Sequence, residues 1–189
     1  MDVGTGDGLF VYNCARRDPQ TFFIGIDANR RQLEKISHKI YRKPAKGGLP
    51  NPLFLQASAE TLPDELSGIA SKVHINFPWG SLLRAVVTGD EIVLSHLRRI
   101  CAPNALLRVV VDLDFETDRT EIDRLGLPPL SVDYVNDLLA AKYSEAGFQI
   151  VETGSLSTSA LRELHTSWAR RLQASSTRSF MEIGARAVG

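Results

Sequence analysis

The chain has 189 residues, 43% hydrophobic and 23% charged, a composition that suits one globular domain with a sizeable core and excludes a disordered polymer. Lysine plus arginine equal aspartate plus glutamate at 22 each, so bulk charge neither draws the protein to nucleic acid nor repels it. Cys14 and Cys101 form no C-x-x-C pair, and His38, His74, His96 and His165 lack ligand spacing, which excludes a disulfide framework and a structural zinc from the expectation.

The first element is the glycine-rich run Asp2-Val3-Gly4-Thr5-Gly6-Asp7-Gly8, directly behind Met1. Alternate glycines let a chain turn tightly from strand to helix and let a ligand approach the backbone. Leu9–Arg17 follows with helical patterning, ended by Asp18-Pro19. Residues 21–27 read as a short buried strand closed by Asp27. Helical spacing returns over 28–43, with Leu33, Ile36 and Ile40 on one face, and 44–52 is a proline- and glycine-rich loop. Strands are predicted at 53–56, 72–77 and 106–113, with helical stretches near 63–70 and 90–101. Residues 118–129 form an excursion, 134–146 a helix, and 148–151 and 179–187 two further strands. The alternation predicts an α/β fold, a doubly wound and mostly parallel sheet in a single domain over 1–189. No apolar run reaches the roughly 18 residues of a membrane span and no signal-peptide pattern is present, so the expectation is a cytoplasmic protein with no membrane partner.

Three loops carry chemistry. Position 9 is leucine, so the first loop is G-x-G-x-G and lacks the third glycine of a dinucleotide fingerprint. Asp27 lies near the roughly 20-residue spacing at which a second-strand carboxylate reaches ribose hydroxyls. The segment Ala57-Ser58-Ala59-Glu60-Thr61-Leu62-Pro63 follows the third strand, and Asn76-Phe77-Pro78-Trp79 stands at the carboxyl end of the fourth, where open α/β sheets place their ligands. Phe77 stands where amino-directed DNA methyltransferases carry a first proline. Trp79 and Trp168 offer flat surfaces of the kind that hold an extracted base. Each feature also has a plainer reading: a turn that binds nothing, an exposed acid, a core tryptophan.

The glycine loop resembles motif I of the class I methyltransferases. The segments DVGTGDG, FIGIDANRRQLEKISHKIYRKPAKGGLPN, ASAETLP, FPWGSLLRAV, GLPPLS and SWARRL are together similar, in order and spacing, to the KamB/NpmA family of aminoglycoside-resistance methyltransferases. The resemblance implies a Rossmann-like fold, S-adenosyl-L-methionine as methyl donor, and methylation of 16S ribosomal RNA in the 30S subunit at N1 of adenine 1408. It implies base stacking by Trp79 and Trp168, and cofactor contacts from Asp2, Gly4, Asp27, Glu60, Ser81 and Thr166, with Gly6, Gly8 and Ala59 in the same loops. It assigns RNA contacts to His38, Lys39, Arg42, Lys43, Lys46, Arg171 and Arg178, and no metal. A monomer is expected. Only Met1, Asp2 and Val3 precede the glycine loop, so a truncated first strand is expected, with unpaired backbone on its neighbours and poorer folding or weaker cofactor binding. Methylation of transfer RNA or of a small molecule, and an inactive nucleotide- or RNA-binding protein, remain open as alternatives.

Overall fold

Seven runs of apolar and β-branched residues pair into one sheet in the computed structural model, which describes residues 1–114, 117–156 and 180–188. The strands are β1 (Asp2–Val3), β2 (Phe23–Asp27), β3 (Pro52–Gln56), β4 (Ala70–Asn76), β5 (Cys101–Asp112), β6 (Phe148–Ser155) and β7 (Phe180–Ala187). Their order is β3-β2-β1-β4-β5-β7-β6, parallel from β3 to β5, with β7 antiparallel to both β5 and β6. Ile26, Val73, Ile75, Val109 and Val110 are fully buried, the continuous apolar character of strands covered on both faces. Consecutive strands β1, β2 and β3 step outward on one side, and β4 then returns to the other side of β1. That reversal opens a crevice at the carboxyl ends of β1 and β4, the place where a ligand fits such a sheet.

The helices are α1 (Leu9–Arg17), α2 (Arg30–Ile40), α3 (Gly80–Thr88), α4 (Glu91–Ile100) and α5 (Arg119–Leu125), followed by three contiguous pieces, Val132–Tyr134, a π-type turn Val135–Leu139 and Ala140–Glu145. Side-chain caps start three of them: Asn29 accepts from the Arg31 N–H, Asp90 from the Val93 N–H and Ser131 Oγ from the Tyr134 N–H, each at 3.1 Å. Among the described residues no helix is long and apolar enough to cross a membrane.

The short first strand pairs on both sides. Asp2 and Val3 are in register with Gly25 and Ile26 of β2, and Asp2 with His74 of β4. The ladder continues through Met1, whose carbonyl accepts from the His74 N–H at 2.8 Å. Below Met1 a cavity of about 330 Å³ lies between β2 and β4, bordered by Phe10, Cys14, Ile24 and Ala70.

Several element expectations change, among them strand β6, which runs to Ser155 rather than 151, and the 118–129 excursion, which holds α5. Residues 63–70 hold no α-helix: 3-10 turns at Ala59–Thr61 and Asp64–Leu66 flank Leu62-Pro63, because proline removes a donor and Gly68, at φ +70°, turns the chain back to β4. Helix α3 was unforeseen, although Leu83, Val86 and Val87 line its buried face and Gly89 ends it at φ +70°. Strand β5 begins at Cys101, five residues before the predicted start at 106.

Candidate active site

Each glycine of the first loop sits at positive φ: Gly4 at +75°, Gly6 at +58° and Gly8 at +70°. They serve different ends. A Cβ at Gly8 would meet Phe54 at 2.5 Å and Ile36 at 2.8 Å, so Gly8 seats the start of α1 against β3 and α2. A Cβ at Gly4 would meet Leu82 of α3 at 2.6 Å, whereas one at Gly6 would meet nothing. Gly6 is therefore the glycine whose open face borders the crevice.

That crevice is a cavity of about 310 Å³, within the range of small-molecule sites. Val3, Gly4 and Gly6 form its floor, Asp27 and Ala28 one side, Ala57 to Glu60 another, and Phe77 to Trp79 with Ser81 and Leu82 the rim toward α3. The Asp27 carboxylate braces the loop. Its Oδ2 accepts from the Gly6 N–H at 2.7 Å and its Oδ1 from the Asn29 N–H at 2.8 Å, and each oxygen keeps a lone pair for a hydroxyl donor.

Asp2 lies beneath the loop, only 2% exposed. Burial raises its pKa to about 6, an effect partly offset by Thr5, by the N-terminal ammonium and by Asn76, whose Nδ2 donates to Asp2 Oδ1 at 3.0 Å. The Oδ1 of Asn76 is buried without a hydrogen-bond partner among the described residues. Sequence reasoning overlooked Asn76 as a partner of Asp2. Its signal was a polar residue in an otherwise apolar strand end.

The segment after β4 is shaped to display Trp79. Phe77 adopts φ +52°, unusual for a residue with a side chain, while the following Gly80 takes φ +58° without strain; the Phe77 backbone costs on the order of 1–3 kcal/mol and persists only where surroundings enforce it. The enforcement is visible: the Phe77 N–H donates to the Val110 carbonyl at 2.8 Å, and its ring packs edge-on against Phe180. Trp79 itself is 53% exposed at the cavity rim and precedes α3. Trp168, Thr166, Arg171 and Arg178 lie outside the described residues.

The expected basic positions group along α2 and the 3-10 turn Pro44–Lys46, where His38, Arg42, Lys43 and Lys46 are exposed. Lys39 differs. Its ammonium sits 3.8 Å from the Tyr12 ring centroid, and the Tyr12 hydroxyl donates to the Gly47 carbonyl at 2.9 Å, so Lys39 also packs the loop onto α1. Of the expected cofactor residues, Gly4, Gly6, Asp27, Ala59, Glu60 and Ser81 meet at one cavity, while Asp2 and Gly8 support it from below.

Over residues 1–187 the chain matches the family model described as NpmA: 16S rRNA (adenine(1408)-N(1))-methyltransferase. A relative, the 16S rRNA (adenine(1408)-N(1))-methyltransferase of Escherichia coli, is 38% identical over 184 residues, which are 97% of this chain and 84% of that one. Among solved structures, the aminoglycoside resistance methyltransferase NpmB1 is similar with a TM-score of 0.83 and 44% identity, over 99% of this chain and 85% of that chain. A tryptophan-to-alanine variant of the 16S rRNA (adenine(1408)-N(1))-methyltransferase from Catenulisporales acidiphilia, solved with its cosubstrate S-adenosylmethionine, gives a TM-score of 0.90 at 32% identity, over 100% of this chain and 84% of that chain.

Proposed function

The chain belongs to the NpmA family of 16S rRNA (adenine(1408)-N(1))-methyltransferases, and from that membership we propose that it methylates N1 of adenine 1408 in 16S ribosomal RNA and so confers aminoglycoside resistance. The observation that carries the reading is the joining of a G-x-G-x-G loop, braced by Asp27, to a cavity whose rim displays Trp79. The residues present fit S-adenosylmethionine. Gly6 leaves its backbone open to a ligand, Asp27 keeps acceptors for ribose hydroxyls, and the buried Asp2 offers negative charge to an ammonium.

Bound there, S-adenosylmethionine supplies a methyl carbon made electrophilic by its sulfonium. Glu60 and the backbone of Ala57 to Ala59, on one side of the cavity, would hold the base of the donor, and Ser81, at the α3 rim, would lie toward its methyl. Trp79 and Trp168 stack the target adenine, which must leave its helix to be reached. N1 carries an in-plane lone pair and no proton, so no general base is needed. As the N1–carbon bond forms, the carbon–sulfur bond breaks, and the positive charge passes from sulfur to the base. Rate then comes from alignment and exclusion of water, and a donor already activated makes a metal ion unnecessary. Exposed His38, Arg42, Lys43 and Lys46, together with Lys39, Arg171 and Arg178, position the enzyme on ribosomal phosphates without reading sequence. In this reading the partner is the 30S ribosomal subunit, as the names of its 16S rRNA methyltransferase relatives support.

Expression in a susceptible bacterium tests this directly: growth on kanamycin and apramycin is expected. Unchanged susceptibility in cells that contain folded, cofactor-binding protein would contradict the assigned substrate.

A further inference from the structure

The segment between β3 and β4 has two faces. Its inner face, Ala57 to Glu60, walls the cavity. Its outer face is tied to α4 by two side chains one helical turn apart. His96 Nδ1 lies 3.3 Å from the Ala59 carbonyl. The Arg99 guanidinium donates to the Leu62 carbonyl at 2.6 Å, to the Pro63 carbonyl at 3.3 Å and to Ser67 Oγ at 3.1 Å, and pairs with Asp64 at 2.7 Å. The Arg99 carbonyl in turn accepts from the Gly68 N–H at 2.8 Å.

These contacts are not equal. The Asp64 side chain is 96% exposed, so that ion pair adds little. The carbonyl contacts matter more, because a planar guanidinium fixes the orientation of the peptide groups it bridges. Ala59, Leu62 and Leu66 are buried in the main core and hold the segment in place without Arg99. The arginine adds the angle at which the peptide units after Glu60 leave the cavity wall.

We propose that Arg99, assisted by His96, is a positioning residue for the cofactor: through the Leu62 and Pro63 carbonyls it sets the wall formed by Ala57 to Glu60, and thereby how strictly the site reads the base of its donor. The inference rests on the S-adenosylmethionine reading of this cavity. Arg99 touches no reacting atom, so its loss weakens donor binding and relaxes base selectivity without slowing transfer once the site is full.

Calorimetric titration with S-adenosylhomocysteine and with S-inosylhomocysteine, which differ only in the base, tests it on the intact protein. Wild type is expected to favour the adenine form by at least about tenfold; Arg99→Ala to bind that form about tenfold more weakly and keep less than about threefold preference, as for a lost charged hydrogen bond. Its kcat on 30S subunits at saturating donor stays within about twofold of wild type. Arg99→Lys, which reaches one carbonyl but bridges none, decides by the same ratio if the alanine variant does not fold. Wild-type affinity and preference in a folded Arg99 variant would overturn the proposal and leave the cofactor reading standing. A wild-type protein that binds neither compound would overturn both.

Discussion

Asp2 is an acid that the fold buries, and its chemistry follows from that. Its pKa rises from an ordinary 3.8 to about 6, chiefly through burial. A carboxyl whose folded value is raised stabilises the fold fully below pH 4, and that contribution is lost as pH climbs through 6, at a cost on the order of 3 kcal/mol. Asp2→Asn is therefore expected to unfold at higher urea than wild type at pH 8, by roughly 1–3 kcal/mol, with the difference vanishing near pH 4; parallel curves at both pH values would refute the buried charge. The donor's ammonium favours the ionised acid, so wild-type affinity for S-adenosylmethionine rises between pH 5 and 7, and the Asp2→Asn variant loses that slope. Trp79 makes a different prediction. A side chain 53% exposed at the rim adds little to the core, so Trp79→Ala should lower methyl transfer by about 10- to 100-fold, in line with a base-stacking loss, with donor affinity nearly intact. Full activity of that variant on 30S subunits would remove the stacking role.

At the scale of elements, the glycine loop separates into positions packed against the fold and one, Gly6, that opens onto the cavity. Gly8→Ala combines positive φ with a Cβ 2.5 Å from Phe54 and 2.8 Å from Ile36, and should destabilise by about 2–4 kcal/mol. Gly6→Ala meets open space, so only its backbone strain of about 1–2 kcal/mol counts against stability; the added methyl instead projects into the cavity and weakens donor binding. Urea titration of both variants checks the first contrast and calorimetry the second. A Gly8 variant as stable as the Gly6 variant would contradict the division. The loop, strand β2 and its closing Asp27 were legible because glycine spacing and an apolar run are local signals. Residues 63–70 mimic a helix in sequence because Leu66, Ile69 and Ala70 have helical spacing, while Pro63 and Gly68 break the hydrogen-bond pattern. The partnership of Asp2 with Asn76 was illegible for another reason: it joins residues 74 positions apart through the β1–β4 pairing, and only the sheet brings them together.

For the whole molecule, equal numbers of acids and bases leave the approach to RNA to local charge. The exposed Arg42, Lys43 and Lys46, between α2 and the end of the following 3-10 turn, should contribute to binding of 30S subunits in proportion to the ions they displace. Replacing all three with glutamine is expected to reduce the slope of log affinity against log salt by about two without changing the donor's affinity; an unaltered slope would place the RNA elsewhere. The central claim is the identity of the methylated atom. Purified protein, 30S subunits and labelled S-adenosylmethionine, followed by mass mapping of the 16S RNA, should yield one N1-methyladenosine, at position 1408. Methyl on another nucleotide, on another atom of that adenine, or none on RNA despite bound donor would contradict it.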